Sequence, residues 1–284
     1  MPEFDTPEPI TVEIDLVIGD VRLTAGERAT TVIDVRPSDP AESLDVRAAE
    51  RTRVERTADG LLVRGPRAAG LGLIGPGRRT GSVDVTIELP AGSQVRGDAS
   101  AAAFRATGLL GECRIKTSAG SIRLDQAGPV DLRTSAGGIE VDRIAGPAEV
   151  STSSGRIRLG EIDGPAVVKN SNGETWIGQV TGDLRVSGAN GQVSVGHAGA
   201  DLDVSTGNGD LRVGEVTRGT AALKTGFGEV EVGLSAGTAA RLDVYTHFGR
   251  VHNQLAAAEG PQASDQVVEL RARTSYGDIV IRRS

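Results

Sequence analysis

Residues 148–198 read AEVSTSSGRIRLGEIDGPAVVKNSNGETWIGQVTGDLRVSGANGQVSVGHA. Three tetrapeptides punctuate this stretch, TSSG ending at Gly155, NSNG at Gly173 and GANG at Gly191, each 18 residues from the last. Two and four residues after each glycine stand Ile157 and Leu159, Thr175 and Ile177, and Val193 and Val195, with polar residues between them. Five residues before each glycine stand Val150, Val168 and Val186. Period-two alternation on both sides of a fixed glycine predicts two short strands per unit, one approaching a corner and one leaving it.

The same unit recurs outward in both directions. TSAG ends at Gly120 and again at Gly137, TGNG at Gly209, TGFG at Gly228, THFG at Gly249 and TSYG at Gly277, so that successive glycines lie 17, 18, 18, 18, 18, 19, 21 and 28 residues apart. A unit of this size cannot bury an apolar face alone, whereas stacked copies build one continuous core. The expected fold is all-β, a parallel β-solenoid with coils of about 18 residues, and the crossover rule for parallel strands favours right-handed winding.

The corner glycines Gly120, Gly137, Gly155, Gly173, Gly191, Gly209, Gly228, Gly249 and Gly277 are expected where a tight coil needs positive φ or no Cβ. Three residues earlier, Thr117, Thr134, Thr152, Thr206, Thr225, Thr246 and Thr274 predict a stacked ladder that hydrogen-bonds from coil to coil. Immediately before the corner, Asn172, Asn190 and Asn208 predict an amide ladder, and Phe227, Phe248 and Tyr276 an aromatic one.

Residues 1–9 read as an N-terminal tail, 10–92 as irregular capping coils, and 93–284 as the regular repeats. Gly19-Asp20-Val21-Arg22-Leu23 echoes Gly277-Asp278-Ile279-Val280-Ile281, and Ser82 to Leu89 alternates strictly before Pro90-Ala91-Gly92. Arg64 to Gly81 is too rich in Gly and Pro for regular structure and reads as a loop. The last repeat stops at Ser284, so Ile279 and Ile281 are expected to form an open edge guarded only by Arg282 and Arg283, with end-to-end self-association as its consequence.

These corners, the strand closing on Leu89-Pro90-Ala91-Gly92 and the opening Gly19 to Leu23 resemble domain of unknown function 4097, a bacterial family of β-strand-repeat proteins described as candidate adhesins. The resemblance spans nearly the whole chain. It implies a repeat β fold and, from the adhesin label, a surface role.

Composition bounds the chemistry. The chain has 284 residues, seven of them aromatic, 39 Gly and a net charge of −7. Its core must therefore be built from Val, Ile, Leu and Ala, and its acidity disfavours a nucleic-acid partner, which needs a basic surface. Cys113 is alone, so neither an intramolecular disulfide nor a Cys-based metal site is expected. Met1 to Thr6 lacks the charge and apolar run of a signal peptide, and no segment is apolar enough to span a bilayer, which predicts a cytoplasmic location.

Outward Glu140, Glu174, Glu229 and Glu231 alternate with Arg123, Arg156, Arg158 and Arg212, a pattern expected to form cross-strand ion pairs rather than a catalytic carboxylate cluster. His247 and His252 flank the Gly249 corner, where Asn253 occupies a slot that is apolar in other coils; an irregular coil explains this better than a two-histidine metal site. Gly70 to Gly75 mimics a phosphate-binding loop without the Lys-Ser/Thr or a following helix. Trp176 falls three residues after its corner, at the outward position held elsewhere by Arg123, Glu140, Arg158, Ser194, Arg212 and Glu231. It is the candidate binding residue, with Arg158 one coil earlier placed for a cation-π contact. The expected function is a non-enzymatic binding or scaffolding surface for a protein or glycan partner, without cofactor or metal. The rival readings are a carbohydrate-active enzyme on the same fold and a self-assembling structural protein.

Overall fold

The computed structural model describes residues 2–66, 81–255 and 266–284. The Gly70 to Gly75 stretch, and most of the loop expected over Arg64 to Gly81, lie outside them. The chain divides into two compact units, Met1–Val141 and Asp142–Ser284.

The first unit contains β1 (Glu3–Asp5), β2 (Thr11–Gly26), β3 (Thr30–Pro37), helix α1 (Ser43–Arg51), β4 (Arg53–Arg56), β5 (Gly60–Arg64), β6 (Val83–Pro90), β7 (Gln94–Leu109), β8 (Cys113–Ala119), β9 (Ile122–Ala127) and β10 (Val130–Ala136), and ends within β11 (Ile139–Ala145). Strand β2 has β5 and β6 on one side and β7 on the other, all parallel. The chain thus leaves β2 outward and returns to its opposite side. Beyond β5 and β6 the pairing turns antiparallel, β4 on β5, β3 on β6 and β1 on β3.

Helix α1 is a feature that repeat periodicity did not predict. Its SLDVRAAER segment is rich in good helix formers, Asp45 lies in the first turn and Arg51 in the last, both favourable to the helix dipole. The Asp45 carboxylate accepts the Ser82 backbone N–H at 2.8 Å, tying the helix to the start of β6. In the core, Phe104 fills the space opposite Gly97, where a Cβ would stand 2.7 Å from its ring.

The second unit repeats two strands per coil: β12 (Ala148–Ser154) and β13 (Ile157–Asp163), β14 (Ala166–Asn172) and β15 (Thr175–Val180), β16 (Leu184–Asn190) and β17 (Val193–Ala198), β18 (Leu202–Asn208) and β19 (Leu211–Val216), β20 (Gly219–Phe227) and β21 (Val230–Leu234), β22 (Thr238–Phe248) and β23 (Val251–Asn253), β24 (Gln266–Tyr276) and β25 (Ile279–Arg283). Register follows the sequence repeat, Val150 on Val168 and Val168 on Val186 in one column, Leu159 on Ile177 and Ile177 on Val195 in another. These inward side chains are buried, each contributing about 1.5–3 kcal/mol relative to exposure.

Chain order and spatial order part company at the last coils. Strand β24 pairs with β20 on one side and β22 on the other, and β25 lies between β21 and β23. The final repeat is therefore inserted ahead of the one that precedes it in sequence. This corrects the expectation that Ile279 and Ile281 form the open edge: both are fully buried, and the edge belongs to β22 and β23. Arg282 and Arg283 guard nothing. Arg282 pairs with Glu231 at 2.8 Å, and Arg283 donates to the carbonyls of Ser235 and Thr238.

The predicted ladders form with the same reordering, except that the Thr206 hydroxyl has no hydrogen-bond partner among the described residues. At the corners Gly173 has φ +135° and Gly191 +134°, and a Cβ on Gly191 would lie 2.1 Å from the Gly173 carbonyl oxygen. Threonine hydroxyls reach the corner carbonyl of a neighbouring coil: Thr134 to Gly120 at 3.0 Å, Thr225 to Gly209 at 2.9 Å, Thr274 to Gly228 at 3.0 Å and Thr246 to Gly277 at 2.8 Å. The amide ladder runs from Asn208 to Asn190 to Asn172, each Nδ2 donating to the next Oδ1 at 2.9 Å. The aromatic ladder stacks as Phe227, Tyr276, Phe248, at 4.8 Å per step.

Candidate functional site

Alternation on β13 and β15 turns Leu159 and Ile177 inward and Arg158 and Trp176 outward, in direct register on neighbouring coils. The Arg158 guanidinium carbon stands 4.5 Å from the centroid of the Trp176 ring. Gly178, two residues further along the same face, allows this: a Cβ there would approach the ring to 3.0 Å. The indole is 37% exposed, so it is held by its strand and by Arg158 while keeping contact with solvent. On the opposite side Ser194 is in register, its hydroxyl accepting from Gln192 at 2.9 Å. The column offers an apolar ring between a guanidinium and a hydroxyl, which can stack on a sugar or aliphatic surface and bond to its polar rim.

Two of the four outward carboxylates pair with arginines of the expected set, and Glu231 pairs with Arg282 instead of Arg212. Glu140 pairs with Arg123 at 2.6 Å, Glu174 with Arg156 at 3.0 Å and Glu231 with Arg282 at 2.8 Å. Pairs this exposed contribute at most about 1 kcal/mol each. The histidines are separate: His247 meets the Phe248 ring edge-on at 4.4 Å and the Tyr245 hydroxyl at 3.2 Å, whereas His252 faces Asp278 at 3.7 Å. Among the described residues no group of three potential metal ligands converges. Cys113 is buried, and burial, reinforced by Glu112, pushes its thiol up to about 12.

Two features escaped the sequence reading. In the first unit a groove of about 630 Å³ is lined by residues of β2, β5, β7, β8 and β10. Its cations are largely met by anions, Arg96 by Glu13 at 3.4 Å, Arg64 by Asp15 at 3.8 Å and Arg133 by Asp131 at 2.7 Å. In the second unit His197 Nδ1 lies 3.3 Å from Glu215 Oε2 beside a cavity of about 290 Å³ lined also by Gln179 and Arg218. A hydrogen bond from Ser235, with help from His197 and Ser284, holds the Glu215 carboxyl below its ordinary value. The signal for this pair was present: Glu161, Gln179, His197 and Glu215 all stand six residues after their corners.

The aromatic ladder is half exposed, Tyr276 stacked on both faces and Phe227 and Phe248 on one face each. Trp176 differs, because its ring neighbours are a guanidinium and a serine.

Among the described residues no helix is long and apolar enough to cross a membrane. No protein-family model and no curated protein matches the chain. Solved structures do resemble it over almost their whole length. A candidate adhesin from Parabacteroides merdae is 12% identical, covering 98% of this chain and 94% of that one with a TM-score of 0.41. One from Parabacteroides distasonis is 13% identical over 98% and 95%, TM-score 0.34. A candidate cell adhesion protein from Clostridium sporogenes is 12% identical over 100% and 99%, TM-score 0.18.

Proposed function

We propose that the chain is a non-enzymatic binding protein of the domain of unknown function 4097 type, whose β-solenoid presents Trp176 and Arg158 to a glycan or protein surface. The observation that carries this reading is the preorganised indole, set under a guanidinium at 4.5 Å and partly open to solvent. A large apolar face already fixed before binding loses little entropy on contact, which is why Trp dominates binding hot spots. The arginines beside Glu140, Glu174 and Glu231 support the binding role over hydrolysis, since acid/base chemistry on a glycan needs carboxylates converging on a substrate.

The test is capture of the chain on an array of defined oligosaccharides and bacterial surface polysaccharides, wild type against Trp176→Ala. Binding by the wild type that falls tenfold or more in the variant, at unchanged melting temperature, supports the reading. Equal capture of both chains, or glycan cleavage by the wild type, overturns it.

A further inference from the structure

Strand β22 has a single neighbour, β24, and β23 a single neighbour, β25. Among the described residues the other strands with one partner are β1, of 3 residues, and β4, of 4, whereas β22 has 11. Strand β22 has no Pro, no Lys and no charge directed inward, and its charges are the outward Arg241 and Asp243. Leu242 and Val244 end the core columns Leu202, Ala221, Leu270, Leu242 and Val204, Leu223, Ala272, Val244. Every earlier member is buried, while these two are partly exposed, and Val251 on β23 is 42% exposed.

We infer that β22 pairs antiparallel with the β22 of a second copy of this chain, in the register that sets Leu242 opposite Leu242, forming a closed two-fold dimer. Residues directly opposite in an antiparallel pair point to the same face. In this register Val244 therefore meets Ala240 of the second copy, and the two cores join. The outward charges settle the register. Arg241, which makes no ion pair among the described residues, comes opposite Asp243 of the second copy, and Asp243 is already positioned by Arg273 at 2.7 Å. Sliding the pair to the next register that keeps the apolar side chains inward sets Arg241 on Arg241 or Asp243 on Asp243, and like charges directly opposite are destabilising. The contact is isologous, so it closes after two copies rather than growing into a filament.

Sedimentation of the full chain tests this. The wild type is expected to run at twice its 29.3 kDa mass at high micromolar concentration. Arg241→Asp places two like-charged pairs in the contact and should raise the dimer dissociation constant tenfold or more. Independently, Leu242→Cys sits on the two-fold axis and should form an intermolecular disulfide on mild oxidation, whereas Tyr245→Cys should not. A monomeric wild type, growth beyond the dimer, indifference to Arg241→Asp in a folded variant, or no disulfide at position 242 would each overturn the proposal.

Discussion

The Phe248 ring stacks on Tyr276, 28 residues later in the chain, with centroids 4.8 Å apart and planes 14° from parallel. Phe227, the preceding member of the ladder in sequence, stacks instead on the other face of Tyr276, at 4.8 Å and 1°. Tyr276 is therefore the middle ring, a direct consequence of the inserted last coil.

A middle ring makes two stacking contacts and an end ring one. Tyr276→Ala should cost about 1–2 kcal/mol and Phe248→Ala about half that, since each stacked pair is worth about 0.5–1.5 kcal/mol beyond burial and these rings are half exposed. Urea titration of the two variants measures the difference; if the aromatics were stacked in sequence order, Phe248→Ala would be the more damaging.

Two glycines three residues apart should respond in opposite directions. Gly191→Ala combines φ of +134° with a 2.1 Å clash against the Gly173 carbonyl, and a loss of about 2–3 kcal/mol is expected. Gly188 lies in a ladder slot filled by Thr in most coils, and its missing Cβ would stand 3.4 Å from Thr206 Oγ1, a buried hydroxyl without a hydrogen-bond partner among the described residues. Gly188→Ser should supply that partner and restrict the unfolded chain, a gain of about 1 kcal/mol. Denaturant midpoints at constant slope distinguish the two effects.

Acid should weaken the second unit partly through Glu215. Its carboxyl is held below the usual 4.5 by Ser235 and His197, so the folded state favours the ionised form. That contribution is fully present above pH 4.5 and is lost as pH falls through the lower folded value. Stability of the wild type should consequently drop more steeply with acid below this point than that of Glu215→Gln, measured by melting temperature across the acid range. Parallel curves would mean that the Ser235 contact does not distinguish the two protonation states.

The amino-acid sequence by itself determined the coil: Gly173 and Gly191 at the corners, Val168 and Val186 inward, Trp176 and Arg158 outward one coil apart. These are local consequences of strand alternation and of the conformations that only glycine adopts, so they were legible without tertiary information. Spacing also placed the Asn and aromatic ladders correctly at the corner. What periodicity could not state is the order of the last coils, because equivalent repeats present interchangeable backbones and Ala272 or Val244 would fit the same core column. Tertiary packing decided it by burial. Ile279 and Ile281 are sealed inside, whereas Val251 and Asn253 take the edge, where the Asn253 side chain is exposed and its Oδ1 accepts the Leu255 N–H at 3.0 Å. The reverse order would bury an amide in an apolar column and expose two isoleucines, and the cost of desolvating an unpaired polar group is what the inserted strand avoids.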